Sequence, residues 1–159
     1  MHYEKSFRKY KHLPQPDITH VTTEIKLYPS DHSYQITGKY QLKNQTGSPI
    51  HKILINFSDD LQLKSAVFKY GAEMVKITKN QAEISLHQTM TPGAEAVLDF
   101  ELSYQWFAVN GHQSFNAIIG NGSFARISRY YPSIRYQKRE LQEMLRTFHI
   151  LRVLLLWLH

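Results

Sequence analysis

An all-β fold, an antiparallel β-sandwich of about seven or more strands with a short C-terminal helix, is what this sequence predicts, and three observations carry it. Apolar residues recur at period two, most cleanly at Leu98, Phe100, Leu102, Tyr104 and Trp106, with Asp99, Glu101 and Ser103 between them. Turn residues interrupt such runs every eight to twelve residues or so, the rhythm of sandwiches and open barrels. Ten tyrosines and eight phenylalanines against two tryptophans suit pleated, half-buried surfaces. No strand–helix–strand spacing is present.

The elements follow in order. Residues 1–17 are a lead and linker: Tyr3, Phe7 and Tyr10 share a helical stripe, which Pro14 and Pro16 break. Residues 18–132 are assigned to the sandwich. Its first strand alternates Val21, Thr23, Ile25 and Leu27 with Thr22, Glu24 and Lys26, and closes at the turn YPSD. Tyr34, Ile36, Tyr40 and Leu42 share one face of the second, with Gly38 at its centre and NQTGSP at its end. KILINF and LQLKSAVF are the third and fourth. MVKI and AEISL flank TKNQ, whose length and Asn80 suit a hairpin. The strictly alternating strand follows TPG. Residues 133–159 are read as a helical connector and an atypical apolar tail, because Leu141, Met144, Leu145, Phe148, Leu151 and Leu155 have helical spacing without a proline or glycine among them.

A chain of 159 residues is a normal size for one domain with a sizeable core. Its formal charge of +6 is spread over single lysines with acids between them, which is weak support for an anionic partner. Cysteine is absent, excluding disulfides and thiolate chemistry. No signal peptide is visible in MHYEKSFRKYKHLPQPD, where basic residues lack a following apolar stretch. VLLLWL, preceded by Arg152, falls well short of the roughly 20 residues needed to span hydrocarbon, so no transmembrane helix is read here. Such a run must be buried, pair with a partner, or be the remnant of a truncated or altered chain end.

Catalytic chemistry is not evident. The nine histidines, at 2, 12, 20, 32, 51, 87, 112, 149 and 159, show no metal-ligand spacing, and HExxH, GxSxG, a phosphate loop and a dinucleotide fingerprint are all missing. Asp59 and Asp60 are neighbours that on a strand would face opposite ways. Asn44, Asn56 and Asn121 begin glycosylation-type tripeptides, a pattern that chance often produces. Two constellations remain. One is the segment with Trp106, Phe107, Asn110, His112, Phe115, Asn121 and Phe124, where aromatic faces beside amides could hold a sugar or a peptide, or which is simply a long surface loop with inward anchors. The other interleaves Arg126, Arg129, Arg135, Lys138 and Arg139 with Tyr130, Tyr131 and Tyr136. Its position at a change from strand to helix favours a domain interface over a single-stranded nucleic-acid groove, and no nucleic acid is expected. The ligand or interface candidates are therefore Trp106, Asn110, His112, Phe115, Asn121, Phe124, Arg129, Tyr131 and Tyr136, with no catalytic or metal residue among them.

The lead YEKSFRKYKHLPQPDITHV, the strand ITGKYQLKNQT, the turn and strand TPGAEAVLDFEL and above all NGSFARISRYYPSIRYQKREL, residues 121–141, resemble the N-terminal β-domain of the M1-like zinc aminopeptidase region fused to bacterial ABC-2-type permeases. The likeness runs to about Leu145. It implies that a charged connector like Arg139, Glu140 and Leu141 leads toward a thermolysin-like catalytic domain that carries the HExxH ligands, the zinc and the exopeptidase loop. No cofactor is expected in this chain itself. The implied partners are the peptidase domain or the membrane permease portion, with self-association through the apolar tail as a further expectation, and the complete protein would be membrane-associated. After Arg146, TFHILRVLLLWLH departs from the approach to a peptidase domain, as a truncated gene or a reading-frame change would produce. The other reading open to the sequence is a stand-alone ligand-binding sandwich that uses residues 104–124.

Overall fold

The computed structural model describes residues 13–58, 61–79, 83–105, 116–119, 122–125, 131–134 and 153–156. Its strands are β1 (Asp17–Tyr28), β2 (Ser33–Lys43), β3 (Ile50–Asn56), β4 (Gln62–Tyr70), β5 (Glu73–Lys76), β6 (Glu83–Met90), β7 (Glu95–Gln105), β8 (Asn116–Ile119), β9 (Gly122–Ala125), β10 (Ser133–Ile134) and β11 (Val153–Leu156). Among the described residues a large sheet has the order β11-β1-β2-β7-β4-β5, a small one the order β10-β3-β6, and β8 pairs with β9. The expected all-β sandwich is what forms. Its seven strands read between residues 21 and 106 all occur.

Alternation explains the centre of the large sheet. Along β2 and β7 every second residue is buried, and the two strands pair antiparallel from Ser33 opposite Gln105 to Lys43 opposite Glu95. Ile36, Tyr40 and Leu42 thereby share a face with Leu98, Phe100 and Leu102, and Ile50, Ile53, Ile55, Ile84 and Met90 of the small sheet join the same core. Each such side chain, once buried, stabilises by roughly 1.5–3 kcal/mol. Gly38 sits opposite Phe100, and a Cβ there would collide with the Phe100 ring. The ring fills the space the glycine leaves, edge-on to Tyr40 at 5.0 Å.

Three expectations need correction. MVKI and AEISL do not form a hairpin: β5 pairs with β4 through a tight turn in which Gly71 has φ 57°, while β6 pairs with β3 in the other sheet. A glycine with positive φ at the first loop position matches strand twist better than the longer TKNQ link. The aromatic segment, expected as a loop, contains the β8–β9 hairpin, with Ile119 opposite Gly122. Finally, Val153–Leu156 is a strand parallel to β1 and not part of a helix, and Ser133–Ile134 still belongs to a sheet. A run of branched aliphatic residues satisfies either period, and pairing with an available edge decides it. The stripe at Tyr3, Phe7 and Tyr10 and the helical spacing from Leu141 to Leu151 lie outside the described residues.

Candidate functional site

Residues 131–134 cross from one sheet to the other. Tyr131 lies against the large sheet with its Oη 3.5 Å from Thr23 Oγ1, and Tyr40 Oη donates to the Pro132 carbonyl at 3.1 Å. Ser133 and Ile134 then pair with Asn56 and Ile55 of β3, and Ile134 is buried in the core. Proline suits the crossing, because its fixed φ turns the chain and it has no N–H to satisfy. Burial pushes the Tyr40 phenol well above its ordinary range, with Tyr131 adding to the effect. Burial raises Tyr131 as well, against the opposing pull of its Thr23 contact. Both hydroxyls are thus held neutral as hydrogen-bonding groups and are unsuited to act as bases at neutral pH.

Gln15 continues the same edge. Its Oε1 accepts from Leu54 N at 2.8 Å while its Nε2 donates to Lys52 O at 2.8 Å and to Pro14 O at 2.9 Å. A side-chain amide here imitates the peptide group of a neighbouring strand, beginning where β10 stops. Asn44, 1% exposed, donates to Ser48 O and Met90 O and accepts from Thr46 N and Oγ1. Its backbone also holds the TPG turn, through Gly93 N to Asn44 O at 2.7 Å and Asn44 N to Ala94 O at 2.9 Å. The amide of Asn44 is committed to the fold and closed to glycosylation.

The outward face of the large sheet bears a shallow depression of about 560 Å³, lined by Thr22, Glu24, Thr37, Lys39, Asp99 and Glu101 among others. Lys39 and Lys69 both approach Asp99, at 3.9 and 2.7 Å. Hydroxyls and paired charges can hydrogen-bond a ligand there, but no histidine lines the depression to activate a nucleophile. Among the described residues no three His, Cys, Asp or Glu side chains group to hold a metal ion. Of the described histidines, His51 Nδ1 is 3.0 Å from Thr89 Oγ1, at the surface.

Of the sequence-derived candidates, Tyr131 lies at the sheet crossing, and Phe124 is in β9 opposite Ala117. Trp106, Asn110, His112, Phe115, Asn121, Arg129 and Tyr136 lie outside the described residues, as do Asp59 and Asp60. Thr23, Tyr40 and Gln15 were not singled out by sequence. Their partners are 108, 92 and 39 positions away, so only the topology reveals them.

No family model matches this chain, and no curated protein does. Among solved structures it is similar to a mutant M1 zinc metallopeptidase from Deinococcus radiodurans bound to a Tyr-Ser-Ala substrate, at 12% identity over 69% of this chain and 26% of that one, with a TM-score of 0.43. The same organism's M1 zinc metallopeptidase matches at 12% identity over 64% of this chain and 23% of the other, with a TM-score of 0.40. A two-domain M1 zinc metallopeptidase mutant bound to L-arginine matches at 14% identity over 57% and 21%, with a TM-score of 0.38. The chain therefore spans about a quarter of the length of the solved proteins it resembles.

Proposed function

We propose that this chain is a non-catalytic N-terminal β-domain, a fragment of an M1-like membrane-associated aminopeptidase, whose work is to support a zinc peptidase domain outside it. The observation that carries the reading is the sheet crossing at residues 131–134. These residues belong to NGSFARISRYYPSIRYQKREL, the stretch on which the resemblance rests most, and they are tied to both sheets at once. A segment locked to both layers gives whatever packs against it a fixed position relative to the whole sandwich. Zinc belongs, on this reading, to the other domain, since the sequence contains no HExxH, and no hydrolytic step is assigned to this chain. The permease portion of such a protein would be the route to the membrane.

Mixing tests the proposal. A separately produced peptidase domain of a permease-fused M1-like protein is titrated with this chain and assayed on aminoacyl substrates. Saturable binding that raises the activity or thermal stability of the peptidase domain is expected, with no substrate turnover by this chain alone. Tight stoichiometric zinc in this chain after dialysis, together with release of amino acids in the absence of the other domain, would overturn it.

A further inference from the structure

In the large sheet the outer side of β1 is covered over only part of its length, by the four-residue strand β11. Its first third is blunted: Pro14 and Pro16 precede it, and a bulge between Ile18 and His20 interrupts the ladder, where Thr19 Oγ1 donates to Gln41 O at 3.2 Å. Prolines and bulges are the usual protection of an edge against unwanted pairing. From Val21 to Tyr28 that protection stops, and the register with β2 is regular. On this stretch Val153, Leu154, Leu155 and Leu156 pair in parallel with Thr23, Glu24, Ile25 and Lys26. No other strand takes the edge among the described residues.

Parallel neighbours need a crossover of at least a dozen residues or so. Eighteen residues, 135–152, lie between β10 and β11, and a chain of that length spans at most about 65 Å. A tether of that length reaches a neighbouring molecule as well as its own sheet. The pairing is the same backbone ladder in both cases, so only effective concentration, in the millimolar range for short links, favours the chain's own tail. We propose that the β1 edge over residues 21–28 is a strand-acceptor site, and that Val153–Leu156 of a second copy of this chain occupies it by reciprocal exchange to give a tail-swapped dimer. The occupant's chemistry fits. Val153–Leu156 is uncharged and forms a strand on this edge, and added strands gain affinity from main-chain hydrogen bonds. Exchange closes as a two-fold assembly, each copy giving one strand and accepting one.

The absence of native cysteine makes the test direct. Glu24 and Leu154 are register partners, and adjacent strands hold Cα atoms within disulfide range. Chains carrying only Glu24→Cys are mixed with chains carrying only Leu154→Cys, concentrated and oxidised. Met74→Cys, at a residue 68% exposed and remote from this edge, replaces Glu24→Cys in the control. The mixed Glu24/Leu154 disulfide should be enriched roughly tenfold over either homodimer and over the control, because register pairing alone brings those sulfurs together. Adding Leu155→Pro to the tail-bearing chain should abolish the enrichment, since proline cannot join the ladder, while circular dichroism confirms that the sandwich persists. A mixed disulfide no more abundant than the control would overturn the proposal. So would enrichment that survives Leu155→Pro, or a double variant, Glu24→Cys with Leu154→Cys, that closes only within single chains at every concentration.

Discussion

The edge of β3 and the edge of β1 present the same row of backbone donors and acceptors, yet the fold treats them differently. β3 is closed by two groups set beside it: β10 covers Ile55 and Asn56, and the Gln15 amide takes Lys52 O and Leu54 N. β1 is covered by four residues of an apolar strand that eighteen intervening residues separate from β10. One edge is closed in part by a side-chain amide, the other by a backbone strand that, on the exchange proposed above, a second copy can replace. The difference teaches that a sandwich can be sealed where its layers must stay in register and open where it meets something else.

The largest effect should come from Gln15→Ala, which unseals the β3 edge. It removes the acceptor of the buried Leu54 N–H and a donor to the Lys52 carbonyl, at about 1–3 kcal/mol for each such bond, so unfolding stability should fall by about 2–4 kcal/mol. A lowered urea midpoint with an unchanged slope is the expected result. A change confined to experimental error would mean that water satisfies that edge.

Next is the sheet crossing. Tyr40→Phe removes the donor to the Pro132 carbonyl and should cost about 1–2 kcal/mol. Its pH signature follows from the raised phenols of Tyr40 and Tyr131, whose ordinary value is 10.0. A folded-state pKa above the unfolded one means that the unfolded chain loses its proton first. The associated stability is therefore fully present below about pH 10 and is lost as pH rises through the folded-state values. Urea midpoints measured from neutral to strongly alkaline pH should be level and then fall, and Tyr40→Phe should make the fall shallower.

Smaller still is the effect of shortening the chain after Arg146. The β1 edge loses its strand while the described core residues of β1 to β7 and β10 all remain, so stability should change by less than about 1 kcal/mol while association is lost. Light scattering on both chains reads it: an intact chain that stays monomeric at every concentration goes against the exchange of tails. Least of all, Asp99→Asn should change stability by under about 1 kcal/mol, since Lys39, Lys69 and Asp99 are all partly exposed and such pairs are screened.

This contrast also separates what the sequence made legible from what it did not. β2 and β7 announce themselves because one face is buried along their whole length, and period two survives intact. β3 is harder: Ile53, Leu54 and Ile55 are all buried, so both faces are covered at that point and the alternation is lost. The pairing of β5 was misread because four residues carry too little pattern to choose between neighbours, and the glycine turn at Gly71 decides it. In the tail, Leu and Val fit a helix or a strand equally well. Tyr131 stands out in the sequence as an amphipathic residue beside a proline, but its contact with Thr23 within the sandwich is visible only in the fold. Thr23, Tyr40 and Gln15 do not stand out, because a threonine, a core tyrosine and a glutamine between two prolines carry no local mark of partners that lie far along the chain.

Native-state hydrogen exchange, resolved by residue and compared between the intact chain and one ending at Arg146, tests the contrast between the two edges most directly. The Leu54 amide, held by Gln15, should exchange only through global unfolding in both chains. Those amides of residues 23–26 that face away from β2 should be protected in the intact chain and exchange freely in the shortened one. Equal protection of both edges regardless of the tail would contradict the account, as would rapid exchange at Leu54.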